Sequence, residues 1–385
     1  SLVEEVEPEF WGPQQAVWFD RLEQEHGNLR AALNWLLEQG EIRKNVEMAL
    51  RLGGALWWFW YRRGYFTEGA EHMERALALA DAQIPAHIRA RALRCAGHLE
   101  ASRGNTDRGE VLLSESVALF KESGDRIELG RTFFPFGMIA AHRKDLVTAR
   151  KRYEEGLRIA REVGDILGIA HLLHTTGVVA RLQGEYETAS ALFEESVTFF
   201  RQLGNKGAIA SSRLRLAELL FAQGDLARAS TIAEKALGLH RELGDIERVA
   251  ETLELLGQIA LLQSDIPTAR SLFEESLAIW NERRSLTGIA WALSLLAGAA
   301  AVENDYLAAH TLYEKSLELS LEQPKEQGCG EEMASCLEGF AAVCASQGEL
   351  VWAVHLWGAA EALREAILIP ILPVARTAYE RSVAA

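Results

Sequence analysis

GDILGIAHLLHTTGVVARLQGEYETASALFEESVTFFRQLGN, residues 164–205, carries the reading of the fold. Three short turns punctuate it, Gly164-Asp165, Gly184-Glu185 and Gly204-Asn205, placed 20 residues apart. A glycine followed by an acidic or polar residue suits a helix end, because glycine takes the left-handed backbone that closes the helix before it. The segments between are of helix length, rich in Ala, Leu, Glu and Arg, and show no strand-like alternation.

Working outward, the same punctuation recurs with a period of 40: Gly64-Tyr65, Gly104-Asn105, Lys144-Asp145, Gly184-Glu185, Gly224-Asp225, Ser264-Asp265 and Asn304-Asp305, with Gly348-Glu349 following after 44. A second series runs in phase through Gly124-Asp125, Gly164-Asp165, Gly204-Asn205 and Gly244-Asp245. Two columns of small residues accompany the first series. They are Gly69, Gly109, Ala149, Ala189, Ala229, Ala269, Ala309 and Ala353, then Ala76, Ser116, Gly156, Ser196, Ala236, Ser276, Ser316 and Ala360. Between them lies a larger side chain: Met73, Leu113, Tyr153, Phe193, Phe273, Tyr313 or Trp357. The preceding helix has its own small position at Gly97, Gly137, Gly177, Ala217, Gly257, Ala297 and Ala341. Small residues mark close helix approach, and the larger one fills the groove beside it.

On these residues the chain resembles the tetratricopeptide repeat, in a longer-helix variety. The expected fold is all-α: an α-solenoid of about eight such hairpins forming a right-handed superhelix with a concave groove, and with N-terminal capping helices. The expected segments are a cap over residues 1–48, repeats over 49–363 and a helical tail over 364–385.

The segment Trp18-Phe19-Asp20-Arg21-Leu22-Glu23-Gln24-Glu25-His26-Gly27-Asn28-Leu29-Arg30-Ala31-Ala32-Leu33-Asn34-Trp35 is not a repeat. It resembles a stretch of bacterial STAND-class predicted-ATPase transcriptional regulators, of the LuxR and antibiotic-regulator types, in which the usual residue at position 27 is Asp rather than Gly27. The run Trp352-Ala353-Val354-His355-Leu356-Trp357-Gly358-Ala359-Ala360-Glu361-Ala362-Leu363-Arg364, followed by Pro370, Pro373 and Tyr379-Glu380-Arg381, resembles the end of the same region. The resemblance implies a cytoplasmic sensor region that receives a protein, peptide or small-molecule inducer, and whose other partner is the ATPase module of the same polypeptide. The chain starts at Ser1 and has no G-x-x-x-x-G-K-[ST] loop, so it reads as a portion cut from its ATPase and DNA-binding modules. The alternative is a free-standing adaptor scaffolding other proteins.

Composition narrows the partners. Net charge is −15, which disfavours direct nucleic-acid or anionic-membrane contact. No apolar run approaches the ~18 residues that span a bilayer, and Glu4, Glu5, Glu7 and Glu9 stand where a signal peptide has basic residues. Cys95, Cys329, Cys336 and Cys344 form no metal-binding spacing and read as buried small hydrophobes. No hydrolase, zinc-protease or dinucleotide motif is present, so neither catalysis nor a cofactor is expected.

Repeat phase assigns groove positions to Arg91, Arg94, His98 and Ser102; to Arg131, Phe134, Met138 and His142; and to His171, His174, Val178 and Arg181. Further along, the groove turns acidic and then apolar, through Glu218, Phe221, Glu251, Glu254, Gln258, Trp291 and Ser294. The candidate binding residues are Arg91, Arg94, Arg131, Phe134, His142, His171, His174, Arg181, Phe221 and Trp291. Arginine forks match carboxylate and phosphate, so the first half reads either as an anion or acidic-peptide site or as a solvated groove. His171, His174 and His142 have metal-ligand spacing, but phase places no Asp or Glu beside them, and metal is not expected. The run Trp57-Trp58-Phe59-Trp60-Tyr61 cannot face one core. Either the N-terminal helices with Trp18 and Trp35 cover it, or it docks an absent module. Pro135 should bend its helix, whereas Pro267 opens one.

Overall fold

The computed structural model describes residues 3, 7–39, 42–322, 330–367, 371 and 373–384. Ser1, Glu4, Glu5, Cys329 and Pro370 lie outside them. Apart from one 3₁₀ turn, Glu7–Trp11, every regular element among the described residues is an α-helix. The chain is an all-α repeat solenoid, and it forms two compact units, Ser1–Ser212 and Arg213–Ala385.

In the first unit, helices Gln15–Gln24 and His26–Glu38 precede four hairpins. These are Arg43–Arg63 with Phe66–Leu79, Ala86–Ser102 with Thr106–Ser123, Arg126–His142 with Leu146–Val163, and Ile166–Leu182 with Tyr186–Gln202. Helix Lys206–Ala222 carries the boundary between the units. The second unit continues with Leu226–Glu242, the hairpins Ile246–Leu262 with Ile266–Arg283, Leu286–Val302 with Tyr306–Leu321 and Gly330–Ser346 with Leu350–Ile367, and a last helix Pro373–Ala384.

The helix ends fall at the predicted positions. All twelve turn residues named from the sequence have positive φ, nine of them glycine and three of them Lys144, Ser264 and Asn304; Arg284 is one more. Many helix starts are closed by the next residue: the amide N–H of Glu128 donates to Asp125, that of Thr148 to Asp145, and that of Ala308 to Asp305, at 3.0–3.1 Å.

The small columns do what the sequence implies. A Cβ added to Gly109 would sit 2.8 Å from the carbonyl oxygen of Gly97, so the two helices of that hairpin touch backbone to backbone. Leu113, Tyr153, Phe193 and Phe273 fill the space beside Gly97, Gly137, Gly177 and Gly257, and each is at most 3% exposed. Ser116 and Ser316 donate from fully buried positions to the carbonyls of Ala90 and Ala290, at 2.8 and 2.7 Å. These bonds satisfy the hydroxyls inside the core. In the first hairpin Trp57 stands one period before Gly97, and the close approach moves back a turn, to Gly53 against Met73.

The aromatic run splits three ways. Phe59 faces the cap, its ring 6.2 Å from Phe19 and 5.7 Å from His26. Trp60 packs on Gly69 of its own hairpin. Trp57 and Trp58 turn to the first helices of the following hairpins. The cap is further held by His26 Nε2 with Glu68 at 2.8 Å and Arg63 with Asp20 at 2.7 Å. Trp35 does not share in this covering, contrary to the sequence expectation: it is 58% exposed, because the inward face of its helix carries Leu33, Leu36 and Leu37. Cys95, Cys336 and Cys344 are buried and free. Helix Arg126–His142 continues through Pro135, and Pro267 lies in the first turn of its helix.

Candidate functional site

The first helices of four consecutive hairpins contribute to one pocket in the first unit. Trp57 and Trp58 come from Arg43–Arg63, and Arg94 and His98 from Ala86–Ser102. Arg131, Phe134 and Pro135 come from Arg126–His142, and Leu167, Gly168, His171 and Leu172 from Ile166–Leu182. Glu7 and Trp11, from the 3₁₀ turn, close the remaining side. The space between these walls is about 600 Å³, counting its open mouth.

Aromatic rings make much of the wall. Trp11 lies 4.4 Å from Trp58 and 5.0 Å, edge on, from His171, centroid to centroid. Phe134 is shared by two imidazoles, 5.5 Å from His98 and 6.2 Å from His171. Both imidazoles are neutral at physiological pH. Burial first, then the positive field of Arg94 and the neighbouring His142, pushes His98 down to about 3. Burial, then His174 and Arg131, does the same to His171. Each keeps a buried Nε2 with no hydrogen-bond partner, and His98 is 1% exposed.

Beside the rings runs a chain of alternating charge. Arg91 pairs with Glu7 at 2.5 Å, Arg94 with Glu128 at 2.8 Å, and Arg131 with Asp165 through two bonds of 2.8 Å, with Glu128 3.5 Å away. Burial alone lifts the Glu128 carboxyl, but Arg94, Arg91 and Arg131 outweigh it and hold the group below the usual carboxylate range. This corrects the sequence reading, which placed no carboxylate in this part of the groove. The three arginines meet three carboxylates, because Asp165 and Glu128 sit in or before the first turn of their helices and point across to the preceding hairpin.

Asp165 departs from its repeat. Asp125, Asp145, Asp225, Asp245, Asp265 and Asp305 each accept a capping amide, whereas Asp165 caps none. Its carboxylate turns to Arg131 over Gly168, where a Cβ would lie 2.5 Å from Oδ2.

Of the residues assigned by phase, Arg94, His98, Arg131, Phe134 and His171 line this pocket, and Arg91 stands at its edge through Glu7. His142 is exposed. His174 bonds Ser212 at 2.9 Å, and Arg181 has a buried Nε without a partner outside the pocket. Phe221 and Trp291 belong to the second unit. Phe221 is 8% exposed, and Trp291 borders a smaller space of about 210 Å³ with Ser316, Ser320 and Glu332. His142, His171 and His174 do not gather: among the described residues no group of three or more His, Cys, Asp or Glu side chains stands at metal-holding distance. Phase overlooked Glu7, Trp11, Trp57, Trp58, Glu128 and Asp165. A signal did exist for Trp58, which lies one period before His98.

The second unit holds perturbed groups of its own, Glu254 among them. Glu254, 5% exposed, accepts hydrogen bonds from Ser276 and from the Trp280 indole, both at 2.7 Å. Burial pushes its carboxyl up to about 7, with smaller repulsions from Glu251 and Glu332 and against the pull of the two donors.

Comparison with known proteins agrees with this architecture. Residues 128–202 and 208–282 match the tetratricopeptide repeat family. No curated protein is a significant match. Among solved structures, a Rap protein complexed with competence and sporulation factor is 12% identical, with a TM-score of 0.63, over 95% of this chain and 99% of that one. The apo form of RapI is 15% identical, with a TM-score of 0.60, over 72% and 98%. A signal-transduction ATPase with numerous domains (STAND) from Pyrococcus horikoshii, bearing a tetratricopeptide repeat sensor, is 13% identical, with a TM-score of 0.61. That match covers 87% of this chain and 52% of that chain, so the chain spans about half the length of the STAND protein. At these identities the likeness is one of fold.

Proposed function

We propose that the chain is the sensor region of a cytoplasmic STAND-type transcriptional regulator, binding an inducer or partner rather than catalysing a reaction. The observation that carries this reading is the pocket built from four consecutive hairpins and the segment before them. Each repeat touches chiefly its neighbours. A ligand held by Trp58, His98, Phe134 and His171 together therefore biases the spacing of four repeats at once, and its binding free energy becomes a change in the stack. The flank resemblance to LuxR and antibiotic-regulator types supports the regulator context. No helix among the described residues is long and apolar enough to cross a membrane, which agrees with this placement.

The test has two arms. The first asks whether the reading frame that encodes this chain also encodes a phosphate-loop ATPase. The second asks whether substituting Phe134→Ser and Arg131→Ala, with folding intact, changes the response of that ATPase to its inducer. A response that both substitutions leave unchanged defeats the sensor reading. A frame without the ATPase favours the free-standing adaptor.

A further inference from the structure

Resting on the reading of the first-unit pocket as a ligand site, we propose that it takes an uncharged planar aromatic molecule bearing one hydrogen-bonding group. The ring lies against Trp57, Trp58 and Phe134, and the polar group meets Nε2 of His98 or His171.

Three observations converge on this chemistry. Polar demand comes first. Two buried imidazole nitrogens on one pocket lack protein partners, and leaving such an atom unpaired costs ~1–3 kcal/mol, so a guest that bonds one of them removes that cost there. The second is the wall itself. Trp11, Trp57, Trp58 and Phe134 present ring faces and edges, and aromatic pairs favour offset or edge-to-face contact at 4.5–7 Å between centroids, which a flat guest reproduces. The third is charge. Arg91, Arg94 and Arg131 already face Glu7, Glu128 and Asp165, so a carboxylate or phosphate guest must displace a protein carboxylate to reach a guanidinium. A cationic guest meets those guanidiniums directly. A neutral guest disturbs neither.

The experiment titrates the whole chain at pH 7.5 with indole, phenol, cyclohexanol, benzoate and inorganic phosphate by calorimetry. Indole or phenol is expected to bind saturably, one per chain, with cyclohexanol at least tenfold weaker and phosphate silent. Trp58→Leu and His171→Leu should each weaken indole at least tenfold. Because a buried substitution can disturb folding, imidazole nitrogen resonances of the wild-type chain provide a second readout, and the Nε2 signals of His98 or His171 should shift on adding indole. Absence of saturable binding by indole and phenol means water serves those nitrogens, and overturns the proposal. Binding that Trp58→Leu and His171→Leu leave intact also overturns it. Benzoate or phosphate binding in place of indole, and lost in Phe134→Ser, overturns the chemistry while the sensor reading stands. Indole binding as expected, with no effect on an ATPase encoded in the same frame, leaves the ligand chemistry and removes the sensor reading.

Discussion

Arg131 holds both carboxylate oxygens of Asp165, Nε to Oδ2 and Nη2 to Oδ1, each at 2.8 Å. This bidentate clasp joins the third hairpin to the start of the fourth and frames one side of the pocket. Asp165→Asn keeps the shape, removes the charge and leaves one acceptor oxygen, so Arg131 loses one of its two short bonds and the ion pair. The expected cost is about 1–3 kcal/mol in urea unfolding. Gly168→Ala should cost a similar amount, because the new Cβ displaces the same carboxylate. Equal stability of both variants and the wild type would show that the clasp is slack in solution.

Acid should weaken the chain through its buried histidines. Folded His98 and His171 have pKa values depressed to about 3, against 6.5 when unfolded. Between these values the unfolded chain binds more protons, so stability falls as pH drops from 6.5 towards 3 and levels off below that. For His98 alone the loss at pH 5 is about 2 kcal/mol. His98→Leu should therefore lose less stability than the wild type between pH 7.5 and 5. Parallel stability curves for the two proteins would argue against a neutral buried imidazole.

Glu254 has the opposite sign. Its folded pKa of about 7 exceeds the unfolded 4.5, so the folded chain holds the extra proton between those values. Its contribution is greatest below 4.5 and is lost as pH rises through 7. Glu254→Gln still accepts from Ser276 and Trp280 and carries no charge. It should stabilise the protein at pH 8, by up to about 3 kcal/mol, and do little at pH 4. A gain of equal size at both pH values would point to packing instead.

Two glycine-to-alanine changes should differ in sign. Gly109→Ala drives a methyl onto the Gly97 carbonyl and should destabilise by about 1–3 kcal/mol. Gly238 lies within helix Leu226–Glu242 and a Cβ there meets nothing within 4 Å, so Gly238→Ala should stabilise by about 0.5–1 kcal/mol. Thermal unfolding of the pair distinguishes close approach from a mere preference for small residues.

The hairpins were legible because their determinants are local. A left-handed residue at a helix end and a small residue at a crossing leave marks at fixed intervals, and even Lys144 and Ser264, which lack the glycine signal, were placed by the interval. The pocket was half legible. Phase reached Arg94, His98, Arg131, Phe134 and His171, which sit on repeated helix faces, and one more step back along the chain reaches Trp58. It did not reach Glu7 and Trp11, which lie outside any repeat and meet the pocket only through tertiary folding, Glu7 bonding a residue 84 positions away. Glu128 and Asp165 were missed for another reason. An acidic residue at a helix start looks like a cap, and only the absence of a side chain at Gly168 hints that one of them turns elsewhere.

Trp11, Trp57 and Trp58 stand with ring centroids 4.4–6.0 Å apart, and two imidazoles touch the group. Indoles this near share excitation, so light absorbed by one is emitted under the influence of all three. Anything that slides among them alters the colour and yield of that emission. Under the proposed binding the chain carries its own optical gauge, and no attached dye is required to watch the pocket fill.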